Sequence, residues 1–219
     1  IMLMDSAMIQ EADARFLNKK NDFKEPLIEP LYEKDDVDIC LKQFVCLEYD
    51  QAFKINDHIE VLLTDNGHIL GSASVNLTIK EQNKTTHLTY TGDIGRYKSA
   101  LLKDPTPFPQ ADIIICESTY GDRLHEKSEH AEQEILDTIL ETCVNKKGKV
   151  IIPAFSLGRT QEIVYSLNKL NQHGLLPDIK IFVDSPLAVN ATNIMRKYAL
   201  SLNDDVQQLI KSSPDPFGF

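Results

Sequence analysis

No stretch of this sequence comes near the ~18 consecutive apolar residues of a membrane-spanning helix, and no charged-then-apolar leader ends in a small-residue cleavage site. The expectation is a soluble, cytoplasmic protein with no membrane partner. Cysteine is scarce and unpatterned. Cys40, Cys46, Cys116 and Cys143 show no CxxC spacing, so neither a disulfide framework nor a cysteine zinc site is supported. Their mostly apolar settings predict small buried residues. Positive charge is also short: 23 Lys and Arg face 33 Asp and Glu, a formal charge of -10. That balance argues against a protein that coats nucleic acid through a basic surface. It leaves a nuclease open, because bound divalent metals supply positive charge locally. Internal repeats and low-complexity segments are absent.

What is present is a globular composition. Apolar residues make up 42% of 219 positions, enough for one large domain, or one and a half ordinary ones, with a real core. The sequence reads as an excerpt: Ile1 is not a natural start, the segment from Met2 to Lys20 reads as a helix already under way, and the tail from Ser213 to Phe219 is loop-like and could run on.

Ile1, Met4, Met8, Ala12 and Phe16 recur at helical spacing with Asp5, Gln10, Glu11, Asp13 and Arg15 on other faces, which predicts an amphipathic helix. Residues 18–35 are charged and hold Pro26 and Pro30, as a connector would. Asp36 then caps a helix with Val37, Cys40, Leu41 and Phe44 on one side. From about Phe53 the period shortens to two. Strands are expected at 59–63, 73–79 and 86–91, the last two joined as a hairpin by a turn at 81–84. The continuous apolar run 112–116 has the character of a strand covered on both faces, and Glu117 follows it. Beyond Tyr120 helices alternate with apolar runs: a helix over 129–146, a strand at 150–153, a helix carrying Ile163, Val164, Leu167 and Leu170, and a strand at 179–183. Ser185 and Pro186 then make an N-cap and first-turn proline for a helix through Tyr198. This alternation predicts a mainly parallel sheet in the second part.

Chemistry-bearing residues cluster at strand ends. His68 follows an apolar strand and an Asp65-Asn66-Gly67 turn, and Gly71, Ser72 and Ala73 come just after it. Flanking glycines let the backbone pass close to a bulky centre such as a ligated metal. Asp93 ends the next hairpin strand, between Gly92 and Gly95. Each alone also reads as an ordinary turn residue. Glu117 sits at the C-terminal end of its strand, the edge where α/β sheets place ligand sites; a carboxylate there needs a partner, or else it and Ser118 cap the next segment. His58 and His173 have polar loop contexts, His87 alternates on a hairpin, and His125 and His130 flank a charged stretch that reads as a solvated helix entrance. The run from Phe155 to Glu162 opens a helix after a strand. It is either an anion site formed by backbone N–H groups and Arg159 or a helix start held by an ion pair of Arg159 with Glu162.

In order, GHILGSA, YTGDIGR, ESTYGD, PAFSLGRTQE and DSPLA resemble the β-CASP group of metallo-β-lactamase-fold nucleases, which includes the endonuclease of messenger-RNA 3′-end cleavage and ribonuclease J. The resemblance runs from Phe53 to Tyr198, about two thirds of the sequence. It implies an α/β fold: part of a metallo-β-lactamase αββα-type sandwich over residues 1–121, then the start of a β-CASP α/β domain over 122–219. It further implies that His68 is a zinc ligand, that Asp93 is a carboxylate bridging two zinc ions, and that Glu117 is an acidic residue orienting a later histidine that protonates the leaving oxygen. Two zinc ions lower the pKa of a shared water toward ~7, and the resulting hydroxide attacks phosphorus in line.

The same resemblance marks what is missing. The HxHxDH signature that supplies four further ligands does not occur, and no histidine follows His173. The whole protein is therefore expected to be a zinc-dependent hydrolase of RNA, or of single-stranded DNA, cutting internally or from an end. This chain alone is expected to hold little zinc and to be inactive. The alternatives are a non-catalytic, partner-binding member of the fold and a small-molecule metallo-hydrolase. Oligomeric state is left open.

Overall fold

The computed structural model of the chain describes residues 1–124, 130–212 and 215–218. The expected helix entrance at 125–129 and parts of the tail lie outside the described residues. Two compact units emerge, Ile1–Cys46 and Leu47–Phe219.

In the first unit, α1 (Met2–Lys20) forms as the spacing predicts, whereas α2 (Lys34–Leu41) starts before Asp36, the expected cap, and ends before Phe44. The buried side of α1 differs from the expected one: Ala7 and Ala14 are buried, while Ile1, Met8 and Phe16 are exposed. The extended connector explains this, since its backbone groups need partners and the polar face of α1 supplies them. Asn18 pairs with both the N–H and the carbonyl of Ile28 at 2.8 Å. Gln10 and Glu11 accept from the N–H groups of Leu31 and Lys34 at 3.0 and 3.1 Å. Glu33 is the N-cap of α2, and Asp36 closes a capping box by accepting from the Glu33 N–H at 2.9 Å.

The second unit is built on a five-stranded sheet in the order β1 (Phe53–Lys54), β2 (Ile59–Asp65), β3 (Ala73–Glu81), β4 (Lys84–Tyr90), β5 (Ile113–Ile115). The predicted hairpin is β3–β4, and Glu81 faces Lys84 across its turn. One face buries a polar row. Thr89 donates to Asn76 at 2.8 Å, and the Asn76 amide donates to Thr64 at 3.2 Å and to the Leu62 carbonyl at 3.0 Å. A row satisfied in this way avoids the cost of a lone buried polar group.

All pairings are antiparallel except β4–β5, which is parallel. β2 and β4 both run against β3, so β2, β4 and β5 point the same way. Their C-terminal ends share one edge of the sheet.

Helices α3 (Ala131–Ile139), α4 (Arg159–Gln172), α5 (Pro186–Lys197) and α6 (Asp204–Ser212) follow, and a π-helical turn (Leu140–Asn145) extends α3. Ser185 caps α5 by accepting from the Ala188 N–H at 3.2 Å, as its sequence predicts. The principal core joins Leu101, Val164, Tyr165, Met195, Leu202, Val206 and Phe217, and Leu70 packs against it.

Three expectations are corrected. The run 112–116 forms an edge strand rather than a covered one: Ile113, Ile114 and Ile115 are about half exposed, because nothing among the described residues pairs beyond β5. The runs 150–153 and 179–183 carry no strand, so the mainly parallel sheet expected of the second part is not formed among the described residues; the sheet is mostly antiparallel. A strand needs a hydrogen-bonded neighbour, and these runs instead line an open cavity of about 720 Å³ beside α3 and α4. Finally, Cys40, Cys46 and Cys116 are exposed and Cys143 is only half-buried, all four as free thiols, because they lie on segments whose apolar neighbours are themselves exposed.

Candidate metal centre

The shared edge of β2, β4 and β5 gathers the three residues singled out from the sequence. His68 follows β2, Asp93 follows β4 and Glu117 follows β5. His68 Nε2 lies 3.6 Å from Asp93 Oδ2, with both side chains open to solvent. Glu117 reaches the same turn from the side, its Oε1 accepting from the backbone N–H of Ile94 at 2.6 Å. The hydrogen bond from Ile94, helped by Thr119 and by the nearby imidazole of His68, holds the Glu117 carboxyl below the usual glutamate range.

The turns themselves are tightly specified. Gly67 has φ +68 and Gly92 has φ +59, the left-handed region that glycine enters without a Cβ clash. A Cβ on Gly95 would come within 1.9 Å of the Gly67 carbonyl oxygen, so the turns that carry His68 and Asp93 meet backbone to backbone. Tyr49 donates its hydroxyl to the Ser72 carbonyl at 2.8 Å. Burial, with the Asp65 carboxylate adding to it, pushes the Tyr49 phenol up to about 12. The Ser72 hydroxyl accepts from the N–H groups of His68 and Ile69 at 3.2 and 3.1 Å.

Asn66, Ser72 and Tyr49 are the residues that sequence reasoning did not single out as functional. The Asn-Gly pair at 66–67 was the available signal, but it reads as a turn and nothing more.

The start of α4 lies against this loop, since a Cβ on Gly158 would sit 3.9 Å from Ile69 Cγ2. Arg159 is engaged with Glu162 at 2.9 Å, which matches the ion-pair account of that segment. Of the other described histidines, His87 Nδ1 is 3.4 Å from the Thr78 hydroxyl on the hairpin, and His130 precedes α3.

An imidazole nitrogen and a carboxylate oxygen are suitable donors for zinc. Their number is short, because no three His, Cys, Asp or Glu side chains group to hold a metal among the described residues, and a zinc site takes three or four protein ligands. His68 and Asp93 thus fit as part of a metal centre without completing one.

Comparison with known proteins gives the site its setting. Residues 160–219 match the Beta-Casp domain. The chain is 35% identical over 190 residues to an RNase J-like protein of Methanocaldococcus jannaschii, covering 85% of this chain and 44% of that one. It is 33% identical over 190 residues to Ribonuclease TTHA0252 of Thermus thermophilus, covering 86% and 42%. With the cleavage and polyadenylation specificity factor subunit 3-I of Arabidopsis thaliana the identity is 31% over 192 residues, covering 86% and 27%. The chain therefore spans less than half the length of these curated relatives. Its class is a mixed α/β protein that carries a Beta-Casp domain. More narrowly, it belongs to the β-CASP family.

Proposed function

We propose that the whole protein is a zinc-dependent phosphodiester hydrolase acting on RNA in the cytoplasm, with its metallo-β-lactamase part running to residue 121 and its β-CASP part beginning at 122. The observation that carries this reading is the approach of His68 Nε2 to Asp93 Oδ2, 3.6 Å apart at one sheet edge. The relatives named as ribonucleases support RNA as the substrate.

In this reading His68 and Asp93 would be among the residues that hold the metal. Zinc there supplies Lewis acidity and an ionised water at neutral pH. The chain's own contribution is positional: two strand ends bring an imidazole nitrogen and a carboxylate oxygen together. Glu117 fixes the turn that presents Asp93 by accepting from Ile94. Two donors are too few for tight zinc binding, so this chain alone is expected to hold little zinc and to cut no RNA.

The test is zinc analysis and RNA cleavage by the intact protein, with Asp93→Ala beside it. Zinc in the wild type, and loss of cleavage in the variant, are expected. An unchanged rate in Asp93→Ala would remove Asp93 from the mechanism. An intact protein without zinc would overturn the reading, as would stoichiometric zinc held by this chain alone.

A further inference from the structure

Asn66 is 3% exposed, and the reading above gives it no role. Its side-chain amide and its backbone carbonyl are nevertheless spoken for by the two ligand-bearing turns. Its Nδ2 donates to the Thr91 carbonyl at 2.9 Å. Its backbone carbonyl accepts from the Gly95 N–H at 2.8 Å. Asn66 therefore holds the Asp93 turn two residues before the carboxylate and two residues after it. On the other side its Oδ1 accepts from the Ser72 hydroxyl and, at 3.4 Å, from the N–H of His68 itself.

We infer that Asn66 is a positioning residue that sets the separation of His68 and Asp93, and so the metal affinity of the centre; this rests on the metal reading of that pair. The residue type follows from the chemistry. A side-chain amide offers a donor and an acceptor in one rigid plane, here a donor toward a carbonyl and an acceptor toward a hydroxyl. Aspartate would set a carboxylate oxygen against the Thr91 carbonyl, acceptor against acceptor. Alanine would remove both contacts and leave the Ser72 hydroxyl facing a void. The Thr91 carbonyl would keep only the Ser74 hydroxyl, at 3.2 Å. Outer groups that orient metal ligands typically change metal affinity 10–100-fold when removed.

Asn76 is the natural control. It is another buried asparagine of the same sheet, 8% exposed, and its side chain bonds Leu62, Thr64 and Thr89 within β2 and β4 rather than any residue of either turn. The experiment measures zinc dissociation constants of the intact protein by chelator competition, together with melting temperatures, for Asn66→Ala, Asn66→Asp, Ser72→Ala and Asn76→Ala. Amide exchange at Gly95 is followed in this chain for the same variants.

Both Asn66 variants are expected to weaken zinc binding about 10–100-fold and to speed Gly95 exchange. Ser72→Ala should shift both in the same direction by less, and serves if Asn66→Ala does not fold. Asn76→Ala should lower the melting temperature and leave zinc affinity alone. Zinc affinity within about twofold of wild type in Asn66→Asp and Ser72→Ala would overturn the role, as would an equal loss of affinity in Asn76→Ala. A wild-type intact protein that binds no zinc would instead bring down the metal reading, while the Gly95 exchange rates would still report whether Asn66 couples the two turns.

Discussion

Glu117 accepts from the backbone N–H of Ile94 at 2.6 Å, so the carboxylate that ends β5 grips the residue next to Asp93. That contact fixes the turn that carries Asp93. It makes Glu117 a support for Asp93 within these residues.

This contact carries a pH dependence. Its carboxyl is held below the usual range, chiefly by the Ile94 hydrogen bond, so the folded state binds that proton less readily than the unfolded chain does. The stabilisation is complete above the ordinary glutamate range of ~4.3 and is lost as pH falls through the lowered value. Unfolding of wild type and Glu117→Gln at a series of pH values should give a gap that closes on acidification. A gap that widens in acid would show that the sign is wrong.

Tyr49→Phe removes the hydroxyl that reaches the Ser72 carbonyl. Of the seven tyrosines, one is expected to ionise at about 12 in an ultraviolet titration, and that step should vanish in the variant. The loss in stability should be about 1 kcal/mol, the size of one net hydrogen bond. A step near 12 that survives the substitution would show that it belongs to another tyrosine, such as Tyr165, which burial also raises.

Gly95→Ala and Gly71→Ala should differ sharply. At Gly95 a Cβ meets backbone within 1.9 Å, whereas at Gly71, with φ +88, nothing lies within 4 Å. Thermal unfolding should show a cost of about 3 kcal/mol or more for Gly95→Ala and of about 1 kcal/mol for Gly71→Ala, from backbone strain alone. Equal costs would mean that the two turns are not in contact.

Arg159→Ala tests the bland account of the α4 start. The guanidinium side chain is 53% exposed and pairs with Glu162 three residues on, so its removal should change stability by no more than about 0.5 kcal/mol. A loss of several times that size would point to a partner for Arg159 beyond Glu162.

The sequence was most readable where structure is local. The β3–β4 hairpin, the Ser185 cap and the α4 stripe of Val164, Leu167 and Leu170, with Ile163 only half-buried beside it, each depend on residues within a few positions of one another, and all three formed. His68 and Asp93 stood out because glycines crowd them. What could not be read depends on distant partners. The apolar run at 113–115 carries no mark of whether a further strand will pair beside it, and the runs at 150–153 and 179–183 resemble strands in composition while lacking a ladder. Asn66 was hidden for the same reason, since its partner Thr91 is 25 residues away and a turn asparagine looks the same with or without it.

The apolar run that fails to become a strand also governs how this chain behaves in a tube. Ile151 and Phe182 present 88% and 80% of their surface to water beside a cavity that they line together with further aliphatic side chains. Such a face recruits hydrophobic dyes, detergents and chaperones, and it favours self-association as concentration rises. The net charge of -10 opposes that tendency at low ionic strength, and added salt weakens the opposition. Clouding on salt addition, rather than any step of catalysis, would then set the working limit for the isolated chain.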